Sequence, residues 1–138
     1  MDFNKINDAI TVSGQITPED VATLAEKGFK TLVINRPDEE VDAALASDVM
    51  IDAAKNHGMA AIYLPIYPGG FSSETVDGMR QVLAEQTGPV YAYCRSGTRS
   101  CFAWGLSQAG QVDGGEILKQ AAGAGYDLSP VAMHLSGE

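Results

Sequence analysis

Pro89-Val90-Tyr91-Ala92-Tyr93-Cys94-Arg95-Ser96-Gly97-Thr98-Arg99-Ser100-Cys101-Phe102-Ala103-Trp104 reads as strand, short loop and helix in one unbroken run. Val90 to Tyr93 is apolar and β-prone. Cys101 to Leu106 is helix-like. Between them stands a cysteine at a strand end, then a glycine, then an arginine at a helix start. Successive backbone N–H groups in such a loop turn inward and form an anion nest. The helix N-terminus adds partial positive charge. Together with Arg95 and Arg99 they favour a thiolate over a thiol at Cys94. The stretch predicts an anion cradle with a nucleophile in its floor.

Upstream, strands and helices alternate. Ile10-Thr11-Val12 reads as a short first strand. Thr17-Pro18-Glu19-Asp20 opens a helix, with Thr17 as N-cap, Pro18 at the first helical position and Asp20 as the capping-box acid. Gly28 closes it. Thr31 to Asn35 is a continuous apolar strand of the kind buried on both faces. A helix is expected from about Val41 to Asn56, and a third strand from Met59 to Leu64. Ser72 or Ser73 caps the next helix, through Leu83, and Gly88-Pro89 breaks it. Downstream come a helix to Ala109, another from about Asp113 to Ala122, and a turn starting at Ser129-Pro130. This order predicts an α/β fold: a parallel sheet of about four strands, helices on both faces and a helical C-terminal part. Three loops should meet at the carboxyl ends of the strands: Asn35–Asp38, Pro65–Phe71 and Cys94–Arg99.

The chain has 138 residues, 45% hydrophobic and 20% charged, which fits a single globular domain over residues 1–138. It carries 18 acids and 9 bases, a formal charge of −9. That argues against nucleic acid and against anionic membranes as partners. No run approaches the ~20 apolar residues of a membrane span, and the N-terminus has no secretory pattern. The expected compartment is the cytoplasm, where two cysteines stay reduced. His57 and His134 lie in no metal-binding motif, so neither metal nor cofactor is expected.

The wider sequence resembles a known family. Val12-Ser13-Gly14-Gln15, Gly28 to Glu40, Leu64-Pro65-Ile66 and Tyr93 to Ser100 are similar to the phosphatase-like domain of beta-lactamase-hydrolase-like proteins, over roughly residues 8–125. The resemblance implies a tyrosine-phosphatase-like fold. It also implies a link to sulfur metabolism, since some members carry the domain fused to a persulfide dioxygenase; such an enzyme is then a candidate partner.

Three departures from the phosphatase pattern stand out. Phosphatases place five residues between the cysteine and the arginine, but Arg99 follows Cys94 after four, the rhodanese length. Tyr93 stands where phosphatases usually have His. The loop Ile66-Tyr67-Pro68-Gly69-Gly70-Phe71-Ser72 has no carboxylate to protonate a leaving group, and Glu74 is the nearest. Sulfur transfer from thiosulfate expels sulfite, which needs no proton as it leaves. The added sulfur extends the side chain by one bond of ~2.05 Å into the ring of amides. Loop length and the missing acid therefore favour a cysteine-dependent sulfurtransferase working through a Cys94 persulfide. The alternatives are a phosphatase working through a phosphocysteine, and a non-catalytic anion-binding module. The substrate expected is a small anion or a thiol.

On either chemistry Cys94 is the nucleophile and Arg99 orients the anion. Ser96, Gly97 and Thr98 lend backbone amides. Arg95 helps recognise the anion in the rhodanese resemblance, Ser100 is a candidate donor to the sulfur, and Tyr67 and Phe71 are candidate pocket walls. Arg36 is expected to pair with Glu39 or Glu40. Cys101 is expected to be a small buried hydrophobe rather than a resolving thiol.

Overall fold

The computed structural model describes residues 1–86 and 88–135. Five strands, β1 (Asn4–Asn7), β2 (Ile10–Ser13), β3 (Thr31–Ile34), β4 (Ala60–Tyr63) and β5 (Val90–Tyr93), form one sheet in the order β1-β2-β5-β3-β4. β2, β5, β3 and β4 are parallel, as the alternation of strands and helices predicts; β1 adds an antiparallel edge. The sheet thus has one strand more than expected. Asn4-Lys5-Ile6-Asn7 offers only Ile6 to the core, so its sequence carries no strand pattern. Its pairing comes from folding back onto β2.

The helices are α1 (Pro18–Glu26), α2 (Ser47–Asn56), α3 (Ser73–Glu85), α4 (Thr98–Gln108) and α5 (Gly114–Gly123). Side chains alternate across the sheet. Leu32, Ile34, Tyr91 and Tyr93 face α1 and α2, meeting Val21, Leu24, Met50 and Ala54. Val12, Val33 and Ala92 face the other way, onto Met79 of α3, Ala103 and Trp104 of α4 and Ile117 of α5. β3 and β5 are fully buried, as their unbroken apolar runs require.

Local signals set most boundaries. Thr17 and Asp20 exchange the two bonds of a capping box at the start of α1, and Ser72 caps α3 through the Thr75 amide. α2 is the exception. The expected start near Val41 gives way to two short 3-10 turns, Asp38–Glu40 and Ala43–Leu45, and the helix begins only at Ser47. Asp38 is the cause: its carboxylate takes both the backbone N–H and the hydroxyl of Ser47 at 2.7 Å. Capping from nine residues upstream leaves no local spacing to read.

Sheet register fixes where the loops emerge. Tyr93 pairs with both Ser13 and Ile34, and Ile34 pairs with Tyr63. Four strands therefore end on one line. The chain leaving β2 and β3 runs to the α1/α2 face, while that leaving β5 runs to the α4 face. β5 lies between β2 and β3, so the loop after β5 opens at the switch of direction where such folds bind ligands.

Candidate active site

Cys94 follows the central strand directly and is fully buried, with its amide bonded to Ser13 O. The loop doubles back over it, so that the Gly97 N–H points at the sulfur, 3.1 Å from Cys94 Sγ. Gly97 makes this possible with φ of +92°, a conformation that L side chains resist. There is also no room for a side chain: a Cβ on Gly97 would lie 2.0 Å from Tyr126 Oη. Gly97 caps α4 without any side-chain bond, so the first-turn amides of that helix remain available to an anion.

Arg99 sits in the first turn of α4 and is held on two sides. Nη1 donates to Glu40 Oε2 at 2.9 Å and to the carbonyl of Ile66; Nη2 donates to Glu40 Oε1 at 2.7 Å. A guanidinium has five N–H groups. These contacts occupy three, leaving Nε–H and the second Nη2–H as a two-donor edge. Glu40 holds the Arg99 guanidinium above its usual range, and Cys94 lies close enough to add to that effect. The same pairing holds the Glu40 carboxyl below the usual carboxylate range, first through Arg99 and then through Arg36. Arg36 bonds to Glu40 and to Gln15, so of the two acids expected as its partner, Glu39 and Glu40, it takes Glu40.

Two further residues lock the loop. Tyr126, just beyond α5, donates its hydroxyl proton to Ser96 O at 3.0 Å and accepts from Asn4 Nδ2 at 2.9 Å. On the other flank Gly14 lies so close that a Cβ there would be 2.8 Å from Arg95 O. Neither Tyr126 nor Glu40 is visible as a site residue in the sequence. Glu40 is 59 residues from Arg99, and Tyr126 is 30 residues from Ser96. Only folding brings them in.

The other expected site residues divide. Arg95, Ser96 and Thr98 are exposed on the loop, with the Ser96 and Thr98 hydroxyls bonded to each other. Arg95 makes no ion pair among the described residues. Tyr67 is 49% exposed and donates to Glu39 Oε2 at 3.0 Å, which places it at the rim. Two expectations need correction. Ser100 does not donate to the sulfur. Asn35 Nδ2 donates to Leu64 O, which leaves its Oδ1 to accept, and the single Ser100 proton goes there at 2.8 Å. Phe71 is not a wall of the cradle. It stacks on Phe102 and lines a separate groove with Val76, Leu106 and Val131.

Tyr93, in the place of the usual His, turns away from the loop into the α1/α2 core. Among the described residues its buried hydroxyl has no hydrogen-bond partner within bonding geometry, and burial pushes the phenol up. Cys101 is fully buried, and burial pushes its thiol up to about 12. It is therefore no thiolate near neutral pH. Replacing Cys101 with Ala is expected to leave the stoichiometry of Cys94 alkylation and single turnover intact; loss of turnover in a folded variant would make it a resolving thiol. Among the described residues no group of His, Cys, Asp and Glu is arranged to hold a metal, and no helix is long and apolar enough to cross a membrane.

The chain is similar to known proteins in sequence and in fold. A beta-lactamase hydrolase-like protein of Agrobacterium fabrum is 29% identical over 126 residues; the match covers 90% of this chain and 29% of that protein. A structure of a candidate phosphatase from Neisseria meningitidis superposes with a TM-score of 0.79 at 28% identity, covering 95% of this chain and 94% of the other. Tk-PTP in its active form shares the fold at a TM-score of 0.64 and 16% identity, covering 96% and 92%. Both structures share a tyrosine-phosphatase-like fold with this chain, and neither they nor the family model supports sulfur transfer. A family model matches residues 2–111, and the chain belongs to the family of the beta-lactamase hydrolase-like protein, phosphatase-like domain.

Proposed function

We propose that the protein is a cysteine-dependent phosphatase acting on a small phosphate monoester, with Cys94 as nucleophile and Arg99 as anion clamp. The observation that carries this reading is the divided guanidinium. Glu40 and Ile66 O occupy one side of Arg99 and leave a two-donor edge beside Cys94. Two parallel N–H donors match two oxygens of a phosphoryl group. The α4 amides remain for the third oxygen, and Cys94 Sγ is the attacking atom. Attack forms the S–P bond of a phosphocysteine, and water then releases phosphate. The similarity to phosphatase-like structures supports the same chemistry.

Sulfur transfer remains the second reading because of one feature. The Gly97 amide sits 3.1 Å from Sγ in a ring one residue shorter than the phosphatase cradle. The test runs both chemistries on one preparation. The protein is expected to release phosphate from nitrophenyl phosphate and to show no gain of sulfur mass after thiosulfate. Cys94→Ala should abolish the release. A persulfide on Cys94 with no phosphate release would reverse the order of the two readings.

A further inference from the structure

The loop after β4 lacks a carboxylate, but one reaches it from the loop after β3. Tyr67 Oη donates to Glu39 Oε2 at 3.0 Å. The chain neighbours of this pair, Glu40 and Ile66, both hold the Arg99 guanidinium. The contacts close a ring: Arg99 to Glu40, along the chain to Glu39, across to Tyr67, along the chain to Ile66, and back to Arg99. Glu39 and Tyr67 are thereby fixed one residue from the anion clamp on either side. Both are exposed, so a leaving group has access to them.

The other nearby carboxylates are excluded by what they hold. Both oxygens of Glu40 accept from Arg99, which keeps that carboxyl ionised. Asp38 is bound to the amide and hydroxyl of Ser47. Glu74 shares a cleft with Tyr67 in the first turn of α3, but it bonds to nothing in the ring.

Resting on the phosphatase reading, we infer that Glu39 supplies the proton to the leaving oxygen, and that Tyr67 is the positioning residue that holds it at the rim. In the first step the sulfur lone pair forms the S–P bond. The P–O bond breaks with its electron pair staying on the leaving oxygen, which takes the Glu39 proton. In the second step water attacks phosphorus, its proton passes to the Glu39 carboxylate, and the S–P pair returns to sulfur. Glu39 ends as it began.

The test is a leaving-group series on the folded protein, from nitrophenyl phosphate, whose anion departs unprotonated, to phenyl phosphate, whose anion does not. For Glu39→Gln the ratio of phenyl to nitrophenyl turnover should fall about 100-fold, the low end of general acid catalysis. Tyr67→Phe keeps the aromatic side chain but loses the bond to Glu39, and the same ratio should fall, by less than in Glu39→Gln. A loss equal for both substrates, no loss, or a leaving-group-dependent loss in Glu74→Gln instead would overturn the assignment. Absence of phosphate release from nitrophenyl phosphate by the unaltered protein is a different result; it removes the phosphatase reading and this inference together.

Discussion

Gly97→Ala is expected to cost both stability and turnover. Its φ of +92° strains any side chain, by roughly 1–3 kcal/mol. The new methyl would also lie 2.0 Å from Tyr126 Oη and 3.2 Å from the Ser13 carbonyl carbon. Tyr126 must move, and that breaks its bonds to Asn4 and Ser96. Alternatively the loop must move, and that takes the Gly97 amide from the sulfur. A melting temperature lower by on the order of 5–10 °C follows from that strain in a domain of this size. Displacing the amide ring should reduce turnover of nitrophenyl phosphate by about 100-fold. Tyr126→Phe separates the two effects. It removes the hydroxyl and its bonds, at about 1 kcal/mol, while leaving the loop conformation allowed. The double variant should gain little over Gly97→Ala, because Tyr126 Cζ still lies 2.9 Å from the added methyl. A Gly97→Ala protein that melts and turns over like the original would show that the cradle does not depend on this geometry.

The part of the site that could be read in the sequence is the part built from neighbours in the chain. Cys94, Gly97 and Arg99 lie within one strand-loop-helix turn, so their spacing alone places them together. The Thr17–Asp20 capping box and the Arg36–Glu40 pair are local in the same sense. What stayed hidden depends on distant partners. Glu40 looks like one acid among three in Asp38-Glu39-Glu40 until β3 and β5 are paired side by side. Ser100 looks free to serve the sulfur until Asn35 takes its proton from 65 residues away. β1 has a single buried side chain, so its edge pairing leaves no periodic trace. The carboxylate that reaches the loop after β4 is hidden in the same way: it comes from the turn after β3, and no spacing in the chain pairs Glu39 with Tyr67.

Arg99→Lys is expected to fail as a conservative change. An ammonium is a compact charge with three donors, whereas the guanidinium here serves Glu40 twice, Ile66 O once, and keeps a flat two-donor edge. Lysine can satisfy Glu40 or the substrate, but not both in the same plane. The expected loss in kcat/KM for nitrophenyl phosphate is on the order of 10²–10³, the scale of removing a preorganised donor to a developing anion. Glu40→Gln tests the other half of the pair. An amide offers one acceptor oxygen in place of two, so one guanidinium N–H loses its partner and the clamp loosens. That loss should appear mainly in KM, with a smaller fall in kcat. The pair also predicts an acid response. Glu40 has a folded pKa below the ordinary 4.5, held there first by its bond to Arg99. Its contribution is therefore complete above that ordinary value and is lost as pH falls through the depressed one. Melting temperature should decline in that acid window for the original protein, with a component missing from Glu40→Gln. If Arg99→Lys retains full kcat/KM, or if the two proteins show the same acid response, then the Glu40–Arg99 pair is a surface contact. The anion must in that case be held by the α4 amides alone.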